Sequence, residues 1–159
     1  MNKSIVWRIV PFVTTFIIML MIFMFSAQTA EQSSEISRGL TAKIVDILPF
    51  TRNLSAADKQ AAVMGLHNFI RKCAHFLIYC LLGISASAMF LSAKRKMSAP
   101  VILVCSVVFC CLYAVTDEVH QLFVSGRGGM VSDVILDTCG GAGGGAVFAA
   151  ARRLLKGKG

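Results

Sequence analysis

The first group of residues that could do chemistry is basic and aromatic. Arg71, Lys72, His75 and Tyr79 are spaced so that, on a helix, His75 and Tyr79 share one face with either base. Arginine and lysine bind phosphate, and an imidazole titrates near neutral pH. This face therefore indicates binding of a phosphate group and general-base or nucleophilic chemistry on it.

A second group lies after the third apolar run of the chain. On a continuing helix, Asp117, His120 and Gln121 form one stripe, with Glu118 beside it. A carboxylate can orient an imidazole or hold a divalent cation, and either histidine, His75 or His120, could serve as the base.

A third group surrounds a glycine-rich turn that carries Arg127. Asp133 follows, either as a helix cap or as part of a pocket. Asp137 lies one helical turn further, roughly 5 Å inside an apolar run. A charge at that depth is costly unless it faces the protein interior, so we expect the three groups to line one polar pocket.

The candidate residues divide by expected role. The catalytic candidates are His75, Asp117, Glu118, His120 and Asp137. The substrate-binding candidates are Arg71, Lys72, Tyr79, Gln121, Arg127 and Asp133. The histidines lack the spacing of known zinc motifs, so the sequence requires no cofactor and leaves a divalent cation open.

The elements that position these residues are predicted from hydropathy. The chain has 159 residues, 56% of them hydrophobic and only 15% charged. That composition excludes an ordinary soluble domain. The net charge of +8 does not indicate nucleic-acid binding, because the charges flank long apolar runs. The runs at about 9–25, 74–91, 99–115 and 134–151 predict an all-α, four-helix transmembrane bundle forming a single domain over 1–159.

One or two short interfacial helices are expected in the first long loop. Apolar side chains recur at helical spacing from Ile36 to Ile47, and Pro49 ends the pattern. Ser55 is predicted to be the N-cap residue of a second helix that continues into the second span.

Charge placement predicts the orientation in the cell membrane. Bases without acids cluster at Lys94–Lys96 and at Arg152 and Arg153, whereas all eight acids lie on the other side. The positive-inside rule then places both termini in the cytoplasm and the polar pocket outside. Because the ionisable residues collect on one side only, a transporter or proton channel is the less favoured function class.

The fourth span carries a run of glycines at 140–145, apart from Ala142. Small residues four apart allow close helix approach. The contact is expected within the bundle or between copies of the chain, so a homo-oligomer is one partner that the sequence allows.

Several blocks of the chain resemble the VanZ-like membrane protein family, which is associated with teicoplanin resistance. The blocks are Phe25-Ser26-Ala27-Gln28, Arg71-Lys72-Cys73-Ala74-His75-Phe76 with Tyr79 and Leu82-Gly83, Asp117 to Phe123, Gly126-Arg127, and Asp133-Val134 with Asp137 and Gly140-Gly141. The family usually has an acid just before the tyrosine, where this chain has Ile78.

The resemblance implies a four-helix membrane domain with an outer polar pocket and a link to glycopeptide susceptibility. At the superfamily level such proteins are similar to membrane enzymes proposed to act on phosphate-bearing lipid headgroups. Two hypotheses follow: an enzyme acting on an outer-leaflet lipid, such as an undecaprenyl-linked cell-wall precursor, or a non-catalytic protein that binds or shields a lipid headgroup or a lipoglycopeptide. Membrane lipids are the expected partners under both.

Overall fold

The structure is a computed structural model that describes residues 3–93 and 97–156. Its helices are α1 (Lys3–Ser26), α2 (Ala30–Ile47), α3 (Ala56–Ala93), α4 (Ala99–Gln121) and α5 (Val131–Lys156), with a short 3-10 turn at Pro49–Thr51. No strand occurs in the described ranges. Helices α1, α3, α4 and α5 are long and apolar enough to cross a membrane, which confirms the all-α prediction of four spans.

The helices extend beyond the apolar runs that predicted them. Helix α3 has 38 residues and joins the second predicted external helix to the second span. The Ser55 hydroxyl caps it by accepting a hydrogen bond of 3.2 Å from the Asp58 backbone amide. Helix α4 continues to Gln121, as the predicted polar stripe requires. The basic residues Lys94, Arg95 and Lys96, which were used to predict the orientation, lie outside the described residues.

Helix α5 packs closely against α3 and α4 through its glycines. A methyl group at Gly140 or Gly144 would overlap the carbonyl oxygen of Phe76 or Cys80 on α3. One at Gly141 would lie 2.5 Å from the Cys110 Cβ atom on α4. The glycine run therefore makes contacts within this chain, and a homo-oligomer stays a prediction.

Helix α2 packs its small polar face, not its apolar stripe, against α3. Ser33, Ser37 and Thr41 are buried, whereas Ile36 is 55% exposed and Ile47 is 75% exposed. The helix begins earlier than the apolar pattern suggests, because Thr29 and Gln32 form a capping box. The apolar stripe is exposed, and an interfacial position of α2 stays a prediction.

Two loop contacts bring the ends of four helices to one end of the bundle. The Ala30 backbone amide donates to the Ser125 carbonyl oxygen at 3.2 Å. The Arg127 Nη2 donates to the Phe25 carbonyl oxygen at 3.3 Å. The C-terminal ends of α1 and α4 thus meet the N-terminal end of α5, beside the segment of α3 that contains Arg71 and His75.

Candidate functional site

Three buried carboxylates form the inner part of the candidate site. Asp117 and Glu118 come from the last turns of α4, and Asp137 comes from the second turn of α5. Their exposed fractions are 4%, 6% and 1%. One oxygen from each lies within 4.8 Å of the other two, so this group could hold a metal ion. We call these three residues the acid triad.

The acid triad is unevenly supplied with hydrogen-bond donors. The Gln121 Nε2 donates to Asp117 Oδ2 at 3.2 Å and to Glu118 Oε1 at 3.3 Å. The Met130 backbone amide donates to Glu118 Oε2 at 2.7 Å. Both oxygens of Asp137 lack a hydrogen-bond donor among the described residues. Its nearest basic atom is His75 Nδ1, 3.9 Å from Oδ2. Asp137 is therefore the least compensated charge of the three.

A polar cavity of about 170 Å³ adjoins the acid triad. Its walls contain six of the predicted residues: Arg71, Lys72, His75, Gln121, Arg127 and Asp133. Both donors to Glu118, the Gln121 side chain and the Met130 backbone, belong to residues of this wall. The acid triad therefore lies directly behind the cavity wall.

The bases of the polar cavity differ in how they are paired. Lys72 Nζ lies 2.9 Å from Asp133 Oδ1, so these two charges compensate each other. In the part of the chain that the structure describes, neither Arg71 nor Arg127 has a carboxylate oxygen within 4.0 Å. Two guanidinium groups thus line one cavity without a partner anion.

The Arg127 guanidinium group is affected by burial and by neighbouring charges of both signs. Burial lowers the pKa of Arg127, the neighbouring charge of Arg71 lowers it further, and Asp117 and Glu118 act in the opposite direction. A bound anion would relieve the repulsion between the two guanidinium groups. Paired arginines can bind a phosphate, and also a carboxylate, with bidentate geometry.

An apolar cavity of about 320 Å³ lies between α1, α2 and α3. Ile22, Phe25, Leu40 and Ile70 are among its lining residues, and Arg71 and His75 line both cavities. The sequence-based analysis did not predict this cavity. The sequence feature that could have predicted this cavity is the helical spacing of the small residues Ser33 and Ser37. These side chains leave room on the side of α2 that faces α3.

Besides the acid triad, two predicted site residues line neither cavity. His120 packs against Phe23 of α1 with ring centroids 4.6 Å apart, and its buried Nε2 has no hydrogen-bond partner in the described residues. Tyr79 is fully buried, 6.4 Å from the Tyr113 ring. Ile78, where relatives usually have an acid, lines the apolar cavity. The structure thus brings together the bases, His75, Gln121 and the acids. His120 instead packs against α1 and lines neither of the cavities that His75 lines.

The arrangement has the chemical capacity to hold a phosphate. Unpaired guanidinium groups offer an anion site, an imidazole lies between this site and a buried carboxylate, and an apolar cavity opens from the same residues. An amphiphile with a phosphate at its polar end matches all three features.

Comparison with known proteins identifies the family of this chain. Residues 12–152 match the family described as VanZ/LLP1, and this range includes every candidate site residue. No curated protein and no solved structure matches the chain. Because the matched range covers most of the chain and the structure has four candidate spans, the protein is a multi-pass membrane protein that belongs to the VanZ/LLP1 family.

Proposed function

We propose that this protein binds phosphate-bearing lipids of the outer leaflet and acts on the phosphoester of their headgroup. The observation that carries the proposal is the junction of the two cavities at Arg71 and His75. One cavity is polar and contains unpaired bases, and the other is apolar. A lipid phosphate with its chain attached has the same division between charge and hydrocarbon.

The phosphate is held by Arg71 and Arg127. Each guanidinium group can form two parallel hydrogen bonds with phosphate oxygens. Lys72 contributes less, because its charge is already paired with Asp133. Hydrogen bonds to charged groups contribute about 1.5–3 kcal/mol each, so loss of one arginine should weaken phosphate binding strongly.

The chemical step uses His75 as the base or nucleophile. His75 lines both cavities, so its imidazole lies where a headgroup phosphate meets its lipid chain. Asp137 faces His75 from α5 and stabilises the imidazolium that forms when His75 takes a proton from water. The water oxygen bonds to phosphorus as the bond from phosphorus to the ester oxygen breaks, and the imidazolium returns its proton to that leaving oxygen. As a nucleophile, His75 would instead form a phosphoryl bond as the leaving oxygen departs, and water would then cleave that bond.

The orientation of the site determines which lipids it meets. Arg152 and Arg153 lie near the opposite end of α5 from the acid triad. Under the positive-inside rule, the end with the acids and the two cavities faces outward. Undecaprenyl-linked cell-wall precursors are lipids of this class. Action on them, or shielding of them, would change susceptibility to glycopeptides such as teicoplanin.

Non-catalytic binding is the second candidate function. It is favoured by the 3.9 Å between His75 Nδ1 and Asp137 Oδ2, which exceeds a hydrogen bond, and by the position of His120 away from both cavities. The bases and the apolar cavity would be sufficient for such a role. A transporter is the third and least supported function. Among the described residues, the small recess near the other end of the bundle is lined by no titratable side chain except that of Arg152.

Turnover distinguishes the first two functions. Purified protein in nanodiscs would be incubated with radiolabelled undecaprenyl diphosphate or phosphatidate, and bound lipid and released phosphate would be measured separately. We expect Arg71→Gln to lose binding, and His75→Gln to keep binding and lose release. Arg52→Gln is the matched control, since Arg52 is exposed and lines neither cavity. Binding without release by the natural sequence supports the second candidate, and no binding of either lipid contradicts both.

A further inference from the structure

The acid triad has few hydrogen-bond donors for three buried carboxyl groups. One oxygen from each lies within 4.8 Å of the other two. Among the described residues, their hydrogen-bond donors are one side-chain amide and one backbone amide, both neutral. Bringing charged carboxylates together in a region that excludes water is costly unless a cation lies among them.

The orphaned oxygens of Asp137 point to a missing ligand. This side chain is 1% exposed, and neither oxygen accepts a hydrogen bond from any described residue. Buried carboxylate oxygens are almost always satisfied by a donor or a metal. The nearby bases do not donate a hydrogen bond to Asp137, because Lys72 is paired with Asp133 and His75 Nδ1 is 3.9 Å away.

A second unsatisfied group lies beside the acid triad. Tyr79 is fully buried, and its hydroxyl group lacks a hydrogen-bond partner among the described residues. Tyr79 packs against α5 one turn from Asp137, since a methyl group at Gly140 would lie 3.2 Å from the Tyr79 Cβ atom. The unsatisfied oxygens of Tyr79 and Asp137 therefore come from two neighbouring helices, α3 and α5.

We propose that Asp117, Glu118 and Asp137 bind one divalent cation of the oxygen-preferring class: Mn²⁺, Mg²⁺ or Ca²⁺. Such cations bind oxygen ligands at roughly 2.0–2.6 Å, so two ligands on opposite sides of one ion lie roughly 4–5 Å apart. One carboxylate oxygen from each residue of the acid triad lies within 4.8 Å of the other two, which fits this geometry. Zinc fits less well, because no cysteine or histidine belongs to the group.

The position of this cation would complement the phosphate site. Gln121 and Met130, which bond to the acid triad, also line the polar cavity that contains Arg71 and Arg127. A cation held by the acids would therefore lie behind the cavity wall, where its charge would favour a phosphate bound by Arg71 and Arg127. The cation also removes the repulsion that three carboxylates would exert on an incoming phosphate.

Binding of Mn²⁺ tests the proposal without any lipid. The purified full-length protein would be treated with EDTA, desalted and titrated with Mn²⁺, while the electron paramagnetic resonance signal of free Mn²⁺ is recorded. We expect one Mn²⁺ bound per chain, with binding at least about tenfold weaker in Asp137→Asn, since even indirect disturbance of metal ligands costs roughly 10–100-fold. Competition by Mg²⁺ and Ca²⁺ identifies which cation is preferred.

Asp46→Asn is the matched control. Asp46 is an exposed carboxylate that is paired with Lys59 and lines neither cavity, so its loss should leave Mn²⁺ binding within about a factor of two of the natural sequence, the scatter expected for an indirect effect. Glu118→Gln provides a second variant should Asp137→Asn fail to fold. Absence of Mn²⁺ binding by the natural sequence overturns the proposal, as does equal binding by the natural sequence, Asp137→Asn and Glu118→Gln. Neither result alters the test of lipid binding by Arg71 and Arg127.

Discussion

His75 and Asp137 face each other across the interface of α3 and α5, with Nδ1 of the histidine 3.9 Å from Oδ2 of the aspartate. The close packing that brings these helices together depends on Gly140 and Gly144, one and two turns beyond Asp137. The glycines therefore place the imidazole opposite the buried carboxylate. The geometry of this candidate catalytic pair therefore depends on the packing of α3 against α5.

Replacement of Asp137 by asparagine should raise the stability of the metal-free protein and abolish turnover of the lipid phosphate. In EDTA, Asp137→Asn removes a buried charge without a hydrogen-bond donor, and we expect the free energy of unfolding to rise by about 1 kcal/mol or more. Lipid phosphate turnover should fall below detection. Thermal unfolding in nanodiscs and phosphate release measure the two effects. A clear loss of stability in EDTA would show that the carboxylate is compensated in the folded protein.

Replacement of Arg71 should weaken phosphate binding even when the charge is kept. Arg71→Gln is expected to reduce binding by roughly 10- to 100-fold, because a hydrogen-bonded charge is lost at an anion site. Arg71→Lys should recover only part of this, since an ammonium group cannot make the bidentate contact. Quantitative lipid-phosphate binding would check both, with Arg52→Gln as the control. Full recovery by lysine would indicate that the site attracts charge without fixing geometry.

A bulky side chain in the apolar cavity should discriminate between lipids and free phosphates. Ala74 lines this cavity, and Ala74→Trp should reduce binding of a long-chain lipid phosphate but not of glycerol phosphate. Val104→Trp is the control, because Val104 lies on the exposed surface of α4. Equal loss of both ligands would mean that the substitution disturbs Arg71 and not the path of the chain.

The two site histidines should differ in their effects. His120 packs on Phe23 and lines neither cavity, so His120→Phe should retain turnover and preserve the aromatic contact. His120→Ala should lower stability by about 0.5–1.5 kcal/mol through loss of that contact. His75→Gln should abolish turnover with little change in unfolding temperature. Loss of turnover in His120→Phe, with binding kept, would place His120 in the chemical step.

The glycines of α5 should tolerate alanine according to the neighbour they face. At Gly144 a methyl group would overlap the Cys80 carbonyl oxygen, whereas at Gly143 the nearest atom is 3.9 Å away on Phe76. Gly144→Ala should therefore destabilise the protein by about 1–3 kcal/mol, and Gly143→Ala should be close to neutral. Unfolding temperatures of the two variants give the comparison, and similar values would contradict the packing described for α3 and α5.

The sequence by itself determined the spans and the end of the bundle at which the polar residues collect. Hydropathy and helical spacing are local properties, so the four apolar runs and the continuation of α4 to Gln121 could be read from them. The cap at Ser55 could be predicted in the same way. These features require no knowledge of which helices are neighbours.

The tertiary structure alone decided which side chains meet. His120 and His75 are similar in type and predicted depth, yet rotation of α4 places His120 against Phe23, while α3 places His75 opposite Asp137. The same is true of α2, whose buried face is its small polar one. Helix rotation and crossing depend on packing between residues far apart in the chain, here on glycines that admit a neighbouring backbone, and no local pattern encodes that contact.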